Sequence, residues 1–224
     1  MCGRFTQQRP TSELAEIFDA ENLAADDGGH FNVAPTDEAA VVVQRADRRA
    51  IVTYRWGLIP HWASGPKIGA RTFNARAETA AMAPAFRDGF RRKRCLVPVD
   101  SFYEWRHVDG VRQPYRVVRA DGLPLALAGL WAGWRDPADG ALRRTFTIVT
   151  AAADARLADL HDRMPVSLPV GAWDRWLDPD LADPAELHGL LAAGDQEPLE
   201  IYPVVRLVND VRNDGPELLE RLAV

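Results

Sequence analysis

The second residue of the chain is cysteine. A chain that loses its initiator Met ahead of a small residue then begins with an amine and a thiol on one residue. An unperturbed α-amine has a pKa of about 7.7 to 8.0 and a cysteine thiol about 8.5, so both are partly nucleophilic near neutrality. Such an aminothiol condenses with an aldehyde through a Schiff base, after which the thiolate closes a five-membered thiazolidine ring. The same end can instead act as an N-terminal nucleophile on an amide. Three further residues sit in dense polar and aromatic surroundings: Asn74 in FNARAET, Glu104 in SFYEW and His161 in LHDRMP. An amide can hold the amine in register, a carboxylic acid can shuttle protons at the carbinolamine and imine stages, and an imidazole can assist proton transfer at the substrate oxygen. Each also has an ordinary role to be weighed against this one. Glu104 fits an outward position on a half-buried strand, His161 a cation at a helix C-terminus and Asn74 a helix cap.

The elements that must position these residues are mostly strands. Apolar runs bounded by Gly, Pro or Asp recur at Ala39 (AAVVVQ), Ala50 (AIVTYR), Cys95 (CLVPV), Ser101 (SFYEW), Pro114 (PYRVVR), Leu125 (LALAGLW), Thr145 (TFTIVT) and Leu199 (LEIYPV). Helical patterns fall at Thr11 (TSELAEIF, with a Thr or Ser cap), Ala77 to Arg92, ADARLADLH ending at His161, Val170 (VGAWDRWL) and Ala185 (AELHGLLA). The pattern predicts an α+β class built on a mostly antiparallel, barrel-like sheet with flanking helices. The 224 residues contain no internal repeat and no concentrated linker, so one domain over residues 1–224 is expected.

Composition narrows the function classes. With 47% hydrophobic and 26% charged residues, disorder and fibrous repeats are excluded. No stretch approaches the ~20 apolar residues of a membrane helix, and the start MCGRFTQQRP lacks the apolar core of a signal peptide; a cytoplasmic location is the expectation. Two cysteines make no disulfide framework, and no paired Cys/His spacing points to a metal. The net charge of −5 hides an uneven distribution. Arg71 to Arg94 carry seven basic residues against two acids, whereas Asp178 to Glu200 carry seven acids and no Lys or Arg. Both are readable as solvated faces, or the first as a dock for an anionic partner.

MCGRF at the start, FNVAPTD from Phe31, WGLIPHWA from Trp56, FNARAET from Phe73, RCLVPVDSFYEW from Arg94, FTIVTAAAD from Phe146, LHDRMPV from Leu160 and VNDVRNDGPEL from Val208 together resemble the SRAP domain proteins (SOS-response-associated peptidase), the abasic-site-processing proteins. The resemblance implies the SRAP fold and a sensor of abasic sites in single-stranded DNA. Such a sensor sheds its initiator Met autoproteolytically and forms a thiazolidine crosslink through its terminal cysteine. Carried onto this chain, Cys2 is the nucleophile, Asn74 positions its amine, Glu104 is the acid/base for imine formation and crosslink reversal, and His161 assists sugar-ring opening. Arg4, Asn32, Arg76 and Thr150 fall in motifs resembling the family's phosphate-binding surface. Pro35, Trp62 and Trp105 become wedges or stacking platforms, and the run beginning at Arg71 lines the groove. No metal or organic cofactor is implied, a monomer suffices, and nucleoid association follows from DNA binding. Ser101 stands where the family pattern has Gly, and Asp210 where Asn is common. Cys95, in an apolar strand, reads as an inert core thiol.

Two other classes remain open on the residues alone: an N-terminal cysteine hydrolase acting on amides in trans, and a non-catalytic single-stranded nucleic-acid binder that uses the Arg-rich run and the seven Trp.

Overall fold

The computed structural model describes residues 2–25, 27–108 and 110–223, with Val108 described by its backbone alone. Two sheets dominate. In chain order the strands are β1 (Phe5–Gln7), β2 (Ala20–Asn22), β3 (His30–Val33), β4 (Glu38–Arg45), β5 (Arg48–Trp56), β6 (Asn74–Arg76), β7 (Arg94–Val99), β8 (Ser101–Val108), β9 (Val111–Arg119), β10 (Leu125–Arg135), β11 (Leu142–Ala152), β12 (Arg163–Pro165) and β13 (Leu199–Pro203). The helices are α1 (Thr11–Ile17), α2 (Ala77–Ala80), α3 (Arg87–Arg92), α4 (Trp173–Leu177) and α5 (Pro184–Ala193).

The larger sheet runs β12-β11-β10-β7-β4-β5-β2, and a further pairing of β11 with β5 closes five of its strands into a barrel. The smaller sheet runs β13-β9-β8-β1-β3. Both are mainly antiparallel, and the barrel seam is parallel, joining Thr145 to Arg55 and Phe146 to Trp56. The α+β, barrel-based class expected from the short apolar runs is therefore the fold.

Those runs are continuous because the barrel strands are covered on both faces. Val41, Val43, Cys95, Val97, Leu125 and Leu127 pack in one buried cluster with Phe5, Phe102 and Val117 of the smaller sheet. Their alternate neighbours Val42, Leu96, Ala126 and Ala128 join Leu14, Phe90, Trp176 and Leu187 of the helices and Phe18 directly after α1. A period of two with both faces apolar reads as an unbroken hydrophobic stretch. Gly129 is required where β10 crosses the Cys95 side chain, since a Cβ there would lie 2.7 Å from its sulfur.

Three helical expectations are corrected. ADARLADLH forms successive turns and no helix: the Asp154 carboxylate accepts from the Arg156 backbone N–H at 2.9 Å and its guanidinium at 2.6 Å, an Asx turn that competes with helical hydrogen bonding. The stretch from Ala77 to Arg92 is broken into α2 and α3 by turns. Helix α1 follows Pro10 and has no side-chain cap; Thr11 is buried as its first residue. The last basic residue of the Arg-rich run is also not at the surface. Arg94 is 3% exposed and donates to the carbonyls of Phe90, Arg91, Trp176, Asp178 and Leu181. It thus satisfies orphan carbonyls near the ends of α3 and α4, and burial pulls its pKa down to about 10.

Candidate active site

The first residues are delivered to Glu104 by strand pairing. Strand β1 lies between β3 and β8, with Phe5 opposite Phe102 and Thr6 opposite Ser101. The Tyr103 N–H donates to the Arg4 carbonyl at 2.9 Å, which carries the alignment past the ladder and lays Cys2 to Arg4 alongside Tyr103 to Trp105. Asn74 arrives from the barrel. Trp56 stacks among Phe5, Phe73 and Phe146, and its indole N–H and the Ile148 N–H both donate to the Phe73 carbonyl. That anchors β6, which pairs in parallel with β11 through Ile148, Val149 and Thr150. Asn74 is therefore a strand residue, and the helix-cap alternative does not apply.

At the junction, Asn74 Nδ2 donates to the Cys2 carbonyl at 2.7 Å. Its Oδ1 is buried and has no hydrogen-bond partner among the described residues. Cys2 is 0% exposed. Burial pushes its thiol far up and the neighbouring Glu104 charge adds to this, while the Arg4 backbone N–H works the other way. In the chain as translated the thiol is thus protonated and covered. Glu104 is 2% exposed, so the outward-strand alternative fails. Burial raises its carboxyl above the usual range, against the pull of His161.

His161 ends the turn segment between β11 and β12, with its side chain about 29% exposed. The Arg163 backbone N–H donates to its Nδ1 at 2.9 Å, and an Asp162 carboxylate oxygen lies 2.7 Å from the same atom. Both cannot bond it at once. A neutral ring with the proton on Nε2 accepts from Arg163, and a protonated ring donates to Asp162. Arg163 is itself clamped: its guanidinium meets Glu78 at 2.7 and 3.0 Å and the Thr150 carbonyl at 2.6 Å.

The residues expected to contact DNA separate into groups. Arg4 reaches Asn32 Oδ1 at 2.7 Å and the Val208 carbonyl at 3.0 Å. Trp105 is flanked by the Arg4 and Arg112 guanidinium groups, 5.6 and 4.6 Å from its ring, and its indole donates to Asn209 Oδ1. Asn32, 3% exposed, donates to the carbonyls of Asp210 and Asn213 and so ties β3 to the C-terminal segment. Pro35 is half-buried beside Thr36, whose φ of +91° is unusual for a β-branched residue. Arg76 is exposed opposite Thr150 in the β6–β11 register; Thr150 is 0% exposed. Trp62, 52% exposed, and Arg71 both lie on the long loop between β5 and β6. The two departures are accommodated: the Ser101 hydroxyl bonds Thr6 and accepts from Arg116, and Asp210 pairs with Arg212. Cys95 is buried in β7 as expected, its thiol raised by burial. Glu78 and Arg163 were not singled out from the sequence, although each lies inside a motif that was, FNARAET and LHDRMPV.

Abasic site processing protein YoqW of Bacillus subtilis is 38% identical over 223 residues, spanning 98% of this chain and 99% of its own. YedK of Escherichia coli, of the same description, is 31% identical over 228 residues, spanning 98% and 99%. A crystal structure from Bordetella bronchiseptica superposes with a TM-score of 0.79 at 29% identity, covering 91% of this chain and all of the other. One from Bacteroides thetaiotaomicron reaches 0.88 at 24% identity over 99% of this chain and all of its own, which bears on the fold. The sequence model of the family described as SOS response associated peptidase matches residues 1–211, and the chain belongs to that SRAP family.

Proposed function

We propose that this protein captures abasic sites in single-stranded DNA as a covalent thiazolidine through Cys2, after autoproteolytic removal of Met1. The observation that carries this reading is the convergence of Asn74 and Glu104 on Cys2, with a buried acceptor on Asn74 left unused. Hydrolysis of the Met1–Cys2 bond turns the Cys2 nitrogen from an amide into an amine. Asn74, already gripping the Cys2 carbonyl, then offers Oδ1 to that amine and holds its lone pair toward the substrate.

The amine adds to the aldehyde carbon of the ring-opened sugar to give a carbinolamine. Glu104, whose carboxyl burial raises above its ordinary range, donates a proton to the departing hydroxyl, which leaves as water, and takes the proton of the nitrogen in return as the imine forms. The Cys2 sulfur adds to the imine carbon, its proton passing to the nitrogen, and closes the ring. The net change joins aldehyde and aminothiol with loss of one water. His161, at the edge of the site, takes and returns the proton of the sugar hydroxyl during ring opening. One residue supplies both nucleophilic atoms, so the reaction calls for no cofactor. Exposed Arg71, Arg76 and Trp62 supply phosphate contacts and stacking of the kind single strands require.

The test is adduct formation between Met1-free protein, verified by intact mass, and single-stranded DNA bearing one abasic site. Cys2→Ala is expected to form no heat-stable adduct. An adduct with Cys2→Ala, or turnover of peptide substrates with the cysteine regenerated, overturns the reading in favour of another nucleophile or an amide hydrolase.

A further inference from the structure

We infer that Glu78 is a positioning residue for the capture reaction, acting through Arg163 on the imidazole of His161; the functional part of this rests on the reading above. Glu78 sits in α2, directly after the strand that carries Asn74 and Arg76. Arg163 opens β12, two residues after His161. The paired contacts of 2.7 and 3.0 Å between the Glu78 carboxylate and the Arg163 guanidinium therefore bolt the segment holding the amide clamp to the segment holding the imidazole. Fork-to-fork pairing of this kind fixes direction as well as distance. The Arg163 side chain is about 15% exposed and gives a further hydrogen bond to the Thr150 carbonyl, which limits its freedom.

The link to chemistry is the backbone. With its side chain held, Arg163 presents its N–H to His161 Nδ1 at 2.9 Å. A donor aimed at Nδ1 leaves the neutral ring's proton on Nε2. Asp162, whose side chain is 85% exposed, competes for Nδ1, and Glu104 acts on the ring as a charged group from β8. Loosening Arg163 weakens this donor and lets the ring adopt the other tautomer or the Asp162-bound cation. The same carboxylate feels its partner: hydrogen bonding from Arg163 holds Glu78 below the usual carboxylate range.

The experiment uses Met1-free protein as wild type, Glu78→Gln and Arg163→Lys, with Tm recorded for each. Two measurements are made: the 15N chemical shifts of the His161 ring nitrogens, and the single-turnover rate of adduct formation against pH. Glu78→Gln keeps the shape and removes the charge; Arg163→Lys keeps the backbone N–H and removes the fork. Both are expected to shift His161 away from a pure Nε2–H form, slow adduct formation about tenfold, within the range a misplaced group costs, and displace the pH profile. A lowered Tm with wild-type nitrogen shifts and pH profile would make the pair a fold brace and overturn the inference. If wild type forms no adduct, the capture reading fails, while the nitrogen spectra still decide whether Glu78 sets the tautomer.

Discussion

In the proposed capture reaction Asn74 has two separable tasks, and substitution at this one position can pull them apart. Its Nδ2 donates to the Cys2 carbonyl at 2.7 Å, and its Oδ1 is the buried acceptor assigned to the Cys2 amine. Asn74→Ala removes both groups and leaves the Cys2 carbonyl without its donor. Leaving one buried polar group unpaired costs about 1–3 kcal/mol. At about 1.36 kcal/mol per factor of ten, that corresponds to roughly 5- to 150-fold in rate if the cost falls on the aligned state. Loss of the amine acceptor multiplies this, so a fall of about 100-fold is expected. Asn74→Asp retains an acceptor for the amine but sets a carboxylate oxygen against the Cys2 carbonyl; it is expected to fall between Ala and wild type. The assay is single-turnover adduct formation at saturating abasic single-stranded DNA, resolved on denaturing gels, with Met1 removal checked by intact mass for every variant. An Asn74→Ala rate within twofold of wild type, in chains that have lost Met1, would refute the assignment of both tasks.

Glu104→Gln is expected to slow adduct formation by at least about 100-fold, the lower end of what a positioned acid contributes. Because burial raises the Glu104 carboxyl, the acid form is present below the raised value and the wild-type rate falls as pH climbs through it. The same shift means stability is fullest below the ordinary carboxylate pKa and declines as pH rises toward the folded value, a slope that denaturant titrations should find diminished in Glu104→Gln. Arg76→Gln, removing an exposed cation, should weaken DNA binding and flatten the slope of log affinity against log salt by about 0.7. Arg94→Met strips donors from five carbonyls; a loss of about 1–3 kcal/mol for each carbonyl left buried and unpaired should appear as a lowered urea midpoint, with adduct chemistry intact in the folded fraction.

The barrel strands were legible because covering both faces makes the central residues of β4, β7 and β10 an unbroken apolar run. Strands β1, β3 and β6 were not, since each is three or four residues long and exists only through longer neighbours, a dependence no local pattern records. The turn segment before His161 has helical spacing but takes its shape from Asp154, which bonds its own backbone neighbour. Cys2, Asn74 and Glu104 could be grouped in advance because amine, amide and acid each have one plausible task in aldehyde capture. Glu78 could not: a charge in a run of charges carries no sign that its partner lies 85 residues away. Thr150 and Asn32 show the converse, residues that fit the motif while their side chains are turned inward.

The placement of β1 between β3 and β8 has a consequence for timing. Its second neighbour ends at residue 108, so on the ribosome the first strand cannot be flanked on both sides until about half the polypeptide has emerged, some 5–20 seconds at about 5–20 residues per second. During that interval Cys2 is still uncovered. Afterwards Cys2 is sealed inside the packed interior. Trimming of the chain end by another enzyme is therefore easiest before the sheet is complete, whereas the self-cleavage proposed above needs the finished site.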